Sequence, residues 1–301
     1  MPEPSPNGVL LVDKPGGTTS HDVVARARRA LGTRKVGHAG TLDPMATGLL
    51  ILGVGPATRL LTFIVGLDKT YLATIRLGQA TTTDDAEGEV TEAAEPGAIA
   101  AVADEAIATG IDLLRGEIDQ VPSTVSAIKV DGRRAYDLAR AGEEVQLKSR
   151  RVTVSRFDVL ATRRTADAIE LDVVVDCSSG TYIRALARDL GRHLGVGGHL
   201  TALRRTRIGR FDVAEAVAAD DIAPVALQAP ADAAARALPV LHVDARQATD
   251  LRHGKRLTGL AAALPGPRTA AVDPDGALVG VVEARGADVR SVMNMPEESA
   301  P

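Results

Sequence analysis

The segment Gly37-His-Ala-Gly-Thr-Leu-Asp43-Pro-Met-Ala-Thr-Gly48 holds a single carboxylate in a glycine-rich stretch. Pro44 biases Asp43 away from helical backbone and toward extended backbone. The neighbouring glycines let another backbone approach closely. With a basic residue within reach, such a loop presents an ionised carboxylate for chemistry. Two blander roles compete. Asp43 as the N-cap of a helix begun by Pro44 fits poorly, because Gly48 and the β-like run after it do not continue a helix. A phosphate-cradling loop also fits poorly, because the spacing matches neither the nucleotide-binding P-loop nor the dinucleotide fingerprint.

The rest of the composition narrows the chemistry. Aromatic residues are scarce, with three Tyr, three Phe and no Trp, so an aromatic inside a motif carries unusual weight. One cysteine, Cys177, excludes an intrachain disulfide framework and a multi-cysteine metal site. It lies in the apolar run LDVVVDC and reads as a small buried hydrophobe rather than a nucleophile. The six histidines, at 21, 38, 193, 199, 242 and 253, lack metal-ligand spacing.

The net charge of −4 argues against a polyanionic partner, but its distribution argues for one. Residues 184–210 hold seven Arg and one Asp, whereas residues 84–119 hold eleven acids and one Arg. An arginine cluster of this kind is the electrostatic footprint of nucleic acid, with a solvated charged face as the competing reading. The N-terminus lacks a basic stretch followed by an apolar one, and no apolar run approaches the roughly 18 residues of a membrane span. A cytoplasmic protein is expected.

Several elements must position these residues. Residues 8–13 read as a buried strand, and Thr18, Thr19 and Ser20 offer N-caps for a helix to about Leu31. Residues 33–47 read as a loop, GLLILGVG as a strand, and Pro56 as the first turn of a helix. KTYLATIRLG reads as a strand, and residues 84–110 as an acidic surface insertion ending in an alanine-rich helix. A strand, an Asp131-Gly132 turn and a helix follow. Residues 151–160 and 168–177 read as strands and TYIRALARDLGRHLG as a helix. LTALRRTRIGRFDV reads as a strand that leaves its basic cluster exposed.

GHAGTLDPMATGLL closely resembles the signature of the TruB family of pseudouridine synthases. VLLVDKPGGTTSHDVV, KTYLATIRLG, SSGTYIRALARDLG and LTALRRTRIG resemble four further motifs of that family, in the same order, over residues 8–212. The resemblance implies an isomerase that flips a uridine out of RNA, breaks its N-glycosidic bond and rejoins the uracil through carbon 5. It implies Asp43 as the catalytic carboxylate, acting as nucleophile or as base toward the sugar. Tyr71 matches the tyrosine that stacks on the flipped base, and Arg184 the arginine that pairs with the catalytic carboxylate. Tyr182 resembles a residue lining the uracil pocket, Leu203 a leucine packed near the base, and His38 a histidine that holds the RNA in its flipped state. Lys14 has a structural or RNA-facing role rather than a chemical one. Arginines 188, 192, 204, 205, 207 and 210 would face phosphates. No cofactor and no metal are needed.

The fold implied is α+β: a long mixed, mostly antiparallel sheet with helices flanking a central RNA-binding cleft. A small all-β, PUA-like C-terminal domain completes it. The expected division is a catalytic domain over 1–225 (with an RNA-covering loop at 120–150), a linker at 226–238, the small domain at 239–292 and a disordered tail at 293–301. Residues 211–301 carry thirteen acids against eight Lys and Arg, a poor balance for general phosphate binding. The substrate implied is the T stem-loop of tRNA, at uridine 55, bound by a monomer without an obligate protein partner. An RNA-binding or tRNA-folding protein without chemistry, and a guide-dependent synthase subunit, are the alternatives.

Overall fold

The computed structural model describes residues 5–123, 129–130, 133–134 and 148–297. The chain forms two compact units, one of residues 1–67 with 207–301 and one of residues 68–206. The division differs from the sequential one expected, because the C-terminal segment packs on the N-terminal strands.

The first unit begins with strand β1 (Gly8–Lys14), helix α1 (Ser20–Ala30), strands β2 (Val36–His38) and β3 (Thr47–Val54), a 3-10 turn opened by Pro56, and helix α2 (Leu61–Ile64). Strands β1 and β3 pair antiparallel, with Leu10 opposite Leu52 and Val12 opposite Leu50. Both faces are buried, so GVLLVDK is a continuous apolar run rather than an alternating one. Leu10, Val12, Leu50 and Leu52 pack with Val23, Val24 and Ala27 of α1. Val9, Leu11, Leu49 and Ile51 face the opposite way, toward Leu60, Ile64 and Phe211. Thr19 caps α1 in a reciprocal box with Asp22.

The second unit holds β4 (Lys69–Leu77), β5 (Gln79–Thr81), β6 (Val90–Ala93), α3 (Pro96–Ala100), α4 (Asp104–Asp112) and β7 (Gly116–Gln120). The two-residue strands β8 (Lys129–Val130) and β9 (Arg133–Arg134) pair antiparallel, and the turn expected at Asp131-Gly132 lies outside the described residues. The helix expected after it, and most of segment 120–150, lie outside the described residues. Then come β10 (Arg150–Arg164), β11 (Ile169–Cys177), α5 (Ile183–His193) and β12 (Gly198–Ile208), whose last two residues enter the first unit. The strand order is β12-β4-β11-β10-β7. Gly191 lets α5 meet the start of β12, since a Cβ there would lie 2.2 Å from the backbone of Gly197.

The acidic segment at 84–110 is only partly a surface insertion. It carries α3 and α4, but Asp85 at its start is 3 % exposed. The basic cluster of β12 is not left exposed: Arg205 is 1 % exposed, and of the four arginines at 204–210 only Arg210 lies open.

The returning chain adds β13 (Phe211–Asp212), β14 (Val217–Ala218), α6 (Pro230–Ala237), β15 (Val240–His242), α7 (Ala245–Arg252), β16 (Thr269–Val272), β17 (Leu278–Arg285) and β18 (Asp288–Asn294). Strand β14 joins β1 in parallel. The stretch 226–238, expected as a linker, is packed structure instead. Gln228 exchanges two backbone hydrogen bonds with Val9. The small side chains of Ala231, Ala233 and Ala234 seat α6 in the same core as Val9 and Leu11. Strands β15 to β18 form their own four-stranded sheet. The expected all-β module also carries one helix, α7, capped by Asp244. The last strand runs past residue 293, and Met295 is buried, so the ordered chain extends beyond the tail boundary. Among the described residues no helix is long and apolar enough to cross a membrane.

Candidate active site

Asp43 lies half-buried between β2 and β3, and both of its chain neighbours are held. The buried Ser20 hydroxyl accepts from Leu42 N–H at 2.9 Å and donates to the Leu42 carbonyl at 3.2 Å. On the other side the Pro44 carbonyl accepts from Gly17 N–H at 2.9 Å and from Lys14 Nζ at 3.1 Å. Lys14 Nζ also donates to the carbonyls of Pro15 at 2.9 Å and Thr18 at 2.7 Å. Lys14 is fully buried and has no surface to offer an RNA. Its ammonium is spent on tying β1, the turn before α1 and the Asp43 loop together. Replacement by Met, which keeps the stem and removes the donors, is expected to cost about 2–3 kcal/mol. Urea unfolding would read that loss, and unchanged stability would rule out the clamp.

His38, at the end of β2, is half-buried and meets the exposed His21 of α1 edge to face, with ring centroids 5.6 Å apart. The first unit therefore brings Lys14, His38 and Asp43 onto connected segments. Ser20, which sequence reasoning named only as a possible cap, fixes the loop instead.

The second unit gathers Tyr71, Tyr182, Arg184 and Leu203. Tyr71 is 7 % exposed and lies on the buried face of β4 with Lys69, Ala73, Ile75 and Leu77. Leu203 of β12 is equally buried. Burial, and then the Arg205 guanidinium, pull the Lys69 ammonium down to about 8. Between that value and 10.5, the ordinary value, the unfolded chain binds a proton at Lys69 that the folded chain has lost. Stability should therefore rise with pH across this window. Unfolding free energies of wild type and Lys69→Met across the same range check it, because only the wild type carries the Lys69 part of the rise. Burial pushes the Cys177 thiol up to about 11, in keeping with an unreactive buried side chain.

Arg184, in the first turn of α5, is buried. Its Nη1 donates to the Thr83 carbonyl at 2.9 Å and stands 3.3 Å from Asp85 Oδ2. Asp85 also accepts from Glu87 N–H at 3.1 Å, and the Thr81 hydroxyl donates to its carbonyl at 2.7 Å. One turn further along α5, Arg188 pairs with Asp84 at 3.2 Å and Asp189 at 2.9 Å and donates to the Val121 carbonyl at 2.7 Å. Burial pushes the Asp84 carboxyl up, against the opposing pull of the Ser123 hydroxyl and of Arg188 and Arg184. Arg188 and Arg205 are thus taken up inside the fold, whereas Arg192 and Arg210 are exposed. Sequence reasoning missed Asp85. Its signal was an Asp-Asp pair closing a threonine-rich turn, hidden in a run of surface acids.

Tyr182 is the N-cap residue of α5. Gln120, which is 1 % exposed, brackets its backbone, donating to the Tyr182 carbonyl at 3.0 Å and accepting from its N–H at 2.8 Å.

Residues 28–183 match the model of the TruB family of pseudouridylate synthases (N-terminal domain), and residues 238–296 match the tRNA pseudouridine synthase II C-terminal model. Residues 184–241 match the tRNA pseudouridylate synthase B C-terminal domain. A relative from Leifsonia xyli subsp. xyli, named tRNA pseudouridine synthase B, is 62 % identical over 296 residues and is covered to 97 %, as is this chain. A relative of the same name from Nocardia farcinica is 56 % identical over 281 residues, covering 93 % of this chain and 90 % of its own. A chain in the structure of an H/ACA RNP bound to a substrate RNA containing 2′-deoxyuridine shares the fold, with a TM-score of 0.72 at 24 % identity over 98 % of this chain and 86 % of that one. With five motifs in order, full-length relatives and a matching fold, the chain belongs to the TruB family of pseudouridylate synthases.

Proposed function

We propose that the chain isomerises uridine 55 in the T loop of tRNA to pseudouridine, with Asp43 as the catalytic carboxylate. The C1′–N1 bond breaks, a C1′–C5 bond forms, the C5 proton leaves and N1 gains one, so no oxidant or reductant enters the balance. The observation that carries the reading is the Asp43 loop: one carboxylate, half open, with the residues before and after it fixed by Ser20, Gly17 and Lys14. Such fixing is what a preorganised catalytic group requires.

Flipping the base costs a few kcal/mol, and stacking on an aromatic face recovers about 1–3 kcal/mol. Tyr71 supplies that face, Leu203 and Tyr182 line the uracil pocket, and Arg184 orients the Asp43 carboxylate. His38 holds the RNA open. The chain works as a monomer, without a guide RNA or partner protein. The test is pseudouridine mapping on an unmodified tRNA transcript with the purified chain alone. Pseudouridine at the T-loop position supports the reading. Salt-dependent binding without modification would replace it with an RNA-binding or guide-dependent role.

A further inference from the structure

Arg150 and Arg151 open strand β10 and point to opposite faces of the sheet. Arg151 lies on the open face, 3.9 Å from Glu117 and 4.0 Å from Asp119. Arg150 shares the inward face with Val152 and Val154, opposite Gln120 of β7. It is half-buried and makes no ion pair with any described residue. Its guanidinium carbon stands 5.4 Å from the centroid of the Tyr182 ring. The chain beside it is bare: Gly180 has φ +89°, and a Cβ there would lie 3.8 Å from Arg150 Nη1. The Tyr182 backbone is fixed by Gln120 on both sides, so ring and cation form a built pair.

A guanidinium over an aromatic face keeps the N–H groups at its edge free for an anion. Two parallel N–H groups match a phosphate. If Tyr182 borders the flipped uracil, the anion nearest to that ring is a phosphate of the same nucleotide. We infer that Arg150 is a further substrate-contacting residue, which holds a phosphodiester flanking the target uridine. The inference rests on the placement of Tyr182 in the uracil pocket proposed above.

The test uses the full chain and a synthetic T stem-loop RNA, unmodified or with one neutral methylphosphonate at either linkage flanking the target. Arg150→Met should weaken binding of the unmodified RNA about tenfold and lower the slope of log K against log salt by about 1. Arg150→Lys should recover part of the binding. On RNA neutralised at the contacted linkage, Arg150→Met should cost nothing further. Additive losses at both linkages overturn the inference. So does a fall in thermal stability with RNA binding unchanged, which would leave the guanidinium as a packing group on Tyr182. Turnover of the unmodified RNA by wild type, run alongside, tests the isomerase reading separately, because the binding cycle needs no chemistry.

Discussion

Asp43→Asn should abolish pseudouridine formation, lowering single-turnover rates by at least about 10³-fold, while the chain folds and binds tRNA as before. The substitution keeps the size of the side chain and removes its charge and its capacity to act as nucleophile or base. Stability should change little. The residue is half-buried, Asn keeps its size, and the bonds to the Leu42 backbone and the Pro44 carbonyl go on holding the loop. Lys14→Met is the informative contrast, because it should lower stability and rate together by loosening the loop. Equal turnover by wild type and Asp43→Asn would remove Asp43 from the chemistry. Loss of tRNA binding together with turnover would make its role one of assembly.

What was legible in the sequence was what chain-local physics fixes. The Thr19 cap follows from residue type. The strand of Tyr71 follows from alternation over residues 69–77. Tertiary placement was not legible. Nothing in the alanine-rich stretch around 230 distinguishes a tether from a helix seated on β1; small side chains suit both, and only the packed partner decides. Asp85 stood among surface acids, and Arg205 among arginines assigned to phosphate, yet both are buried. A charged residue tells its type to a reader of sequence, but its burial depends on whether a counter-charge meets it from a distant segment. Lys14 is the same case: only the fold brings three carbonyls to its ammonium.

The second large effect is expected at Asp85, where Asp85→Ala should destabilise the chain by about 3 kcal/mol. The Asp85 and Arg184 side chains are 4 % and 5 % exposed, so water cannot replace either partner. The carboxylate also receives Glu87 N–H, and the Thr83 hydroxyl donates to it. Its removal therefore loosens the turn at 81–89 as well as the first turn of α5. A thermal melt should show Tm falling by roughly 6–12 °C. Activity should fall too, with tRNA affinity largely kept, because Arg184 would lose one of the contacts that set its orientation. Arg184→Met combined with Asp85→Leu removes both charges together, and the pair should cost less than the sum of the single substitutions. That shortfall separates an ion pair from two independently packed side chains. Strict additivity, or an Asp85→Ala melt unchanged from wild type, would mean that the contact between Arg184 and Asp85 carries no energy of its own.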